Sequence, residues 1–149
     1  MDTKQKGDIA EHAVALYALK QGWGVLQPIG DRLPYDLVLD VDGTLIRVQV
    51  KSAWRNAKSG NHVVDNRRTK TNRRVMKRSA YRKEDFDFAV AFLEDSEIFY
   101  IFPVEVFIGY KSEIHMVESS KRQRKPKSAP YRNAWALILQ RAARSESHA

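Results

Sequence analysis

The chain has 149 residues, with 26 Lys and Arg against 18 Asp and Glu, a net charge of +8 and no cysteine. Disulfides and thiolate-held metals are therefore excluded, and no run of about 18 apolar residues is present to span a membrane. The expectation is one soluble, cytoplasmic domain over residues 1–149 with an anionic partner, and no membrane association.

The first predicted element is a helix from Lys6 to Gln21, ended by Gly22. Ile9, Ala13, Leu16 and Tyr17 recur at helical spacing as its apolar stripe, and Glu11 falls beside that stripe. Gly24 to Pro28 reads as a short strand stopped by proline, and Ile29 to Pro34 as a turn. Two alternating runs follow over residues 35–51, separated by Asp42-Gly43, the dipeptide suited to the positive φ angles of a tight hairpin turn. With those two residues in the turn, Asp36 falls opposite Gln49, and Lys51 lies two positions further on the same face. Leu37, Leu39, Ile46, Val48 and Val50 fill the other face with apolar side chains.

Ser52 to Asn61 is expected to be a polar loop and His62 to Asp65 another short strand. Arg67 to Lys83 holds nine basic residues and no acid: Arg67, Arg68, Lys70, Arg73, Arg74, Lys77, Arg78, Arg82 and Lys83. If this segment is helical, Lys70, Arg73, Arg74, Lys77 and Arg78 share one face. Like charges at that spacing repel, so the face needs an outside counter-charge.

Asp87 to Leu93 and Glu97 to Phe102 are continuous, aromatic-rich strand signals joined by Asp95-Ser96. Both are expected to be central strands covered on two faces, with Phe88, Phe92, Phe99 and Phe102 in the core. Pro103 is placed to begin a short helix through Phe107, and His115 to Val117 forms a further short strand. Lys121, Arg122, Arg124 and Lys125 belong to a second cationic run in a proline-broken loop. Pro130 to Arg144 closes the chain as a helix anchored by Trp135 and Ile138, followed by a disordered tail containing His148. The fold class is α/β, a central mixed sheet flanked by helices and carrying basic inserts.

The charge is laid out in blocks. Residues 1–60 hold eight basic and seven acidic side chains, residues 61–83 nine and one, residues 84–118 one and nine, and residues 119–149 eight and one. Two concentrated basic segments around an acidic one suggest a cationic surface aimed at a polyanion.

Charged residues alternating with apolar ones are also what any half-exposed strand shows, and Asp36 with Lys51 alone is compatible with a solvated pair of little worth. Taken with the basic blocks, however, an acid, an amide oxygen and an amine on one face, with Glu11 on a preceding helix, suit a hard cation such as Mg²⁺ beside a phosphate. Such a metal acidifies a water and neutralises charge on a phosphodiester, while a lysine holds the water and stabilises developing negative charge. The four histidines show neither HxxxH nor HNH-like spacing, which argues against a histidine-metal nuclease.

Gly7-x-x-x-Glu11, then Pro34-Tyr35-Asp36, then Gln49-Val50-Lys51 after twelve residues resemble the PD-(D/E)XK nuclease superfamily. Asp85-Phe-Asp-Phe-Ala-Val and Phe99-Tyr-Ile-Phe-Pro-Val-Glu-Val resemble its later core strands and the helix after them. The short chain with basic inserts is most similar to the homing endonucleases encoded within bacterial tRNA-gene group I introns. The resemblance implies Asp36 as a metal ligand, Lys51 as the catalytic lysine and Glu11 as a further acid of the metal site. Gln49 and Val50 join Asp36 and Glu11 as candidate metal-ligating positions. Two departures stand out: Tyr35 separates Pro34 from Asp36, and Gln49 replaces the second acid, offering an oxygen without formal charge. The implied activity is Mg²⁺-dependent, site-specific cleavage of double-stranded DNA in an intronless, tRNA-type gene, by a homo-oligomer of two or four chains. A restriction, repair or junction-resolving nuclease and a non-catalytic nucleic-acid-binding module are the alternatives.

Overall fold

The computed structural model describes residues 1–71, 76–119 and 125–147. Helix α1 runs from Thr3 to Lys20, with the Asp2 carboxylate accepting the Gln5 amide as its N-cap. Gly22, at φ +82°, carries the chain out of the helix. The buried face is Ala10, Val14 and Ala18, whose short side chains let α1 lie close on the sheet. This corrects the expected stripe: Ile9, Ala13 and Tyr17 are half-buried at its flank, while Leu16 is 54% exposed. Ranking positions by apolar bulk favours the large residues, whereas close helix–sheet contact here selects the small ones.

Strands β1 (Gly24–Leu26), β2 (Leu37–Val41) and β3 (Thr44–Ser52) form one side of the main sheet. Asp42 and Gly43 adopt φ of 52° and 93°, and the turn sets Val41 against Thr44, Leu39 against Ile46 and Leu37 against Val48, in the register expected. Two further short strands, β4 (Trp54–Arg55) and β5 (His62–Asp65), follow, so the expected 52–61 loop contains a strand. Strands β8 (Phe88–Leu93) and β9 (Ile98–Pro103) complete the sheet in the order β1-β2-β3-β8-β9. Strand β3 pairs parallel with β8, and the other pairs are antiparallel.

All six residues of β8 are buried, as a strand covered on both faces requires. Strand β9 is not central but an edge. The Asn133 amide donates to the Phe99 carbonyl at 2.6 Å and the Phe99 amide to Asn133 Oδ1 at 3.0 Å, so this segment blunts the edge. One sheet face packs on α1 and α3 (Ala136–Ser147) through Leu37, Leu39, Val48, Val90, Trp135 and Ile138. The other packs on α2 (Val104–Ile108) and β10 (Glu113–Met116) through Ala89, Phe102, Phe107 and Ile114. Each fully buried Leu, Ile or Phe of these layers contributes about 1.5–3 kcal/mol. The last helix starts at Ala136, later than expected, after a 3-10 turn at Ala129–Tyr131. His148 lies outside the described residues.

The described residues of the basic segment form strands, not a helix. Strands β6 (Arg67–Thr71) and β7 (Met76–Ala80) pair antiparallel as a separate two-stranded ribbon. Among the described residues Lys70, Lys77 and Arg78 therefore do not share the face that a helix would give them: Lys70 stands opposite Lys77, and Thr69 opposite Arg78. A helix would set like charges one turn apart without any acid to offset them, whereas a ribbon divides them between two faces, although Lys70 and Lys77 remain a directly opposed like-charge pair. Arg73 and Arg74 lie outside the described residues, as do Lys121, Arg122 and Arg124.

Candidate active site and nucleic-acid interface

Asp36 sits one residue before β2. The ladder ends at Leu37–Val48, so Asp36 does not pair with Gln49 as a ladder partner. Its amide donates to the Val48 carbonyl at 2.9 Å, and its Oδ2 accepts the Val50 amide at 2.8 Å. The carboxylate thus takes the place of a missing strand and is fixed against β3. Val50 sends its side chain into the core, while Gln49 and Lys51 project from the opposite face, where their partners on β8 are the small Ala89 and Ala91. Gln49 Nε2 donates to the Val50 carbonyl at 3.4 Å, so the two neutral candidate ligands meet.

Glu11 reaches this place from α1. With Asp36, Tyr35, Gln27 and Asp31 it lines a cleft of about 360 Å³. Burial, followed by the Asp36 and Asp8 carboxylates, pushes the Glu11 carboxyl up to about 7. Burial also raises Asp36, opposed by the Val50 amide and the Lys51 ammonium. Burial pushes the Lys51 ammonium down to about 8, against the pull of Asp36 and Asp65. Lys51 Nζ donates to the Arg67 carbonyl at 3.1 Å and lies 5.0 Å from the Tyr81 ring centre. It opens on a second cleft, of about 490 Å³, with Asp65, Arg67, Thr69 and Arg78.

Among the described residues no group of three or more His, Asp or Glu is gathered as a metal site. The donors present are two carboxylates, a side-chain amide and a backbone carbonyl, all hard ligands. Two carboxyls pushed towards their protonated forms in a half-buried cleft are what a bound divalent cation relieves. This donor set fits such a cation, with less fixed charge than a three-acid site.

The basic candidates occupy different situations. Arg67 forms a fork on Asp65, with Nε at 2.9 Å and Nη2 at 2.7 Å, and Arg78 Nη1 lies 3.7 Å from the same carboxylate. Arg68 Nη2 donates to the Arg32 carbonyl at 2.6 Å, joining the ribbon to the loop beside the Asp36 cleft. Arg82 lies 3.9 Å from Asp85 and is largely exposed. Lys83 and Lys125 are exposed. Lys83 borders a cleft of about 590 Å³ with Arg47, Asp87 and Arg141 that contains none of the four metal-site candidates. Asp65, against Arg67 and Arg78, and Tyr81, against Lys51, also meet these basic groups without belonging to any motif of the sequence. The signals they offer are an acid two residues before the basic run and an aromatic near its end, between Ala80 and Arg82.

A model of the PD-(D/E)XK endonuclease family matches residues 1–138. The chain is 64% identical to a protein of known structure described as "The structure of a bacterial homing endonuclease: I-Ssp6803I". That likeness has a TM-score of 0.92 and covers 98% of this chain and 99% of the other. No curated protein matches the chain.

Proposed function

The chain belongs to the PD-(D/E)XK endonuclease family, and from that premise we propose that it is a Mg²⁺-dependent homing endonuclease. Its substrate is double-stranded DNA at a specific site, of the kind an intron-free tRNA gene presents to a group I intron. The observation that carries this reading is the Asp36 carboxylate held on the Val50 amide at 2.8 Å, beside a lysine whose charge is weakened by burial. The likeness to a bacterial homing endonuclease supports the role.

Asp36, Glu11, Gln49 and the Val50 carbonyl would hold the cation. When bound, it supplies neutralisation of phosphodiester charge and acidification of a water. Burial raises the Asp36 carboxyl, the Val50 amide and Lys51 oppose that rise, and the Val50 amide orients its Oδ2. Lys51 Nζ, with donors beyond the one given to Arg67, orients the attacking water and meets negative charge developing on the phosphate. The ribbon supplies cations for the flanking phosphates. One chain carries one Asp36–Lys51 pair, so cutting both strands in a single event calls for a homo-oligomer of two or four chains. Among the described residues no helix is long and apolar enough to cross a membrane, in keeping with a soluble, cytoplasmic enzyme.

The test is incubation with supercoiled plasmids carrying intron-free or intron-interrupted tRNA genes. Linear product from the intron-free gene with Mg²⁺, none with chelator, is the expected result. Binding that is equal with and without metal, and no cutting of any plasmid, would instead make the protein a non-catalytic module.

A further inference from the structure

Lys51 Nζ finds its partners among the described residues outside its own strand. Its hydrogen-bond acceptor is the Arg67 carbonyl, at 3.1 Å, and its ammonium lies 5.0 Å from the Tyr81 ring centre. Arg67 is the first residue of β6, Tyr81 directly follows the last residue of β7, and Arg67 is the strand partner of Ala80. Both strands of the basic ribbon therefore end on the same ammonium. Asp65 closes this base by gripping Arg67 on one strand and Arg78 on the other.

A lysine has a flexible four-carbon stem, so a fixed Nζ needs partners from outside its own backbone. A carbonyl takes one of its three protons and a ring face attracts the charge, which leaves donors for a water or phosphate. The charged or titratable groups acting on this ammonium are Asp36 from the start of β2, Asp65 from β5 and the Tyr81 side chain itself. Tyr81 is in turn fixed by Phe86, edge-on at 5.1 Å, and Phe107 at 6.2 Å.

We propose that Tyr81 and the Arg67 carbonyl are positioning groups for Lys51, so that the DNA-contacting ribbon and the catalytic lysine move as one unit. This rests on the reading of Lys51 as part of the cleavage machinery. A ribbon seated correctly on its duplex sets the ammonium in place; one seated on the wrong sequence shifts carbonyl and ring together and misplaces it.

The experiment uses the full chain and a duplex recovered by selection for cleavage by the wild-type protein. Equilibrium binding and single-turnover cleavage are measured separately for Lys51→Ala, Tyr81→Phe, Tyr81→Leu and Phe86→Leu. Tyr81→Phe keeps the ring and should cut close to the wild-type rate. Tyr81→Leu should bind with unchanged affinity and cut at least about tenfold more slowly, as expected for misplaced reacting groups. Phe86→Leu loosens the support of the Tyr81 ring but keeps the ring itself, and should lower the melting temperature while costing less rate than Tyr81→Leu does. Full-rate cleavage by Tyr81→Leu, or an equal loss in Phe86→Leu at an equal melting temperature, would overturn the positioning role. Wild-type cutting by Lys51→Ala would remove the lysine from the chemistry, and the inference would fall with the functional reading beneath it.

Discussion

The Asp36 carboxylate accepts the Val50 amide at 2.8 Å just where the β2–β3 ladder has stopped. The same side chain thus closes a strand edge and offers its remaining lone pairs to the cleft. Its two roles separate by mutation. Asp36→Asn retains an oxygen for the Val50 amide and should unfold in urea close to the wild-type midpoint. Asp36→Ala leaves that amide unsatisfied at a half-buried edge and should cost about 1–3 kcal/mol. Equal stabilities for the two variants would show that the hydrogen bond contributes nothing to the fold.

Glu11 gives a pH dependence of definite sign. Its carboxyl is raised from 4.5 to about 7, first by burial and then by Asp36 and Asp8. The fold holds this proton more tightly than the unfolded chain does, so stability of the metal-free protein falls as pH rises from about 4.5 to about 7. Glu11→Gln removes that penalty. After allowance for solvent screening it should be more stable than wild type by about 1 kcal/mol at about pH 8, with the gain gone at about pH 5. Mg²⁺ should narrow the difference by stabilising the wild type through binding. A variant less stable than wild type at the higher pH would contradict the burial assigned to Glu11.

Gln49 stands where a second acid is expected, and its amide touches the Val50 carbonyl at 3.4 Å. Gln49→Glu restores charge at similar size, so cleavage should persist with a lower Mg²⁺ requirement, because carboxylates bind hard cations better than amides do. Gln49→Leu removes the oxygen and should bind DNA without cutting. A cleavage titration against Mg²⁺ for the three proteins distinguishes these outcomes; superimposable curves for wild type and Gln49→Leu would exclude the amide as a ligand.

The ribbon predicts a salt effect. Neutralising Arg73, Arg74, Lys77 and Arg78 should weaken DNA binding and flatten the plot of log affinity against log salt by about 0.9 for each lost phosphate contact. Any of these cations that reads a guanine edge should instead relax sequence preference at one position. An unchanged slope would mean that this segment does not touch the phosphates.

Local signals made the hairpin legible, because Asp42-Gly43 sets both the turn and the register from Leu37–Val48 to Val41–Thr44. The continuous run of β8 likewise announced a strand buried on both faces. The exit of Asp36 from the ladder is not legible, since the alternating pattern continues through it. Cation spacing in the basic segment fits a helix when no apolar period opposes it, although Thr69 and Thr71 favour the strand that forms. The contacts of Lys51 with Arg67 and Tyr81 join residues distant in the chain, and only the ribbon's pairing brings both of its ends to one atom.

The most direct measurement is single-turnover cleavage of the selected duplex by wild type, Asp36→Asn and Lys51→Ala, with binding measured in parallel and Mg²⁺ present or chelated. Wild type should cut only with metal, while both variants should bind the duplex with near wild-type affinity and leave it intact. Cleavage by wild type in chelator, or full-rate cutting by either variant, would contradict metal-dependent hydrolysis at Asp36 and Lys51.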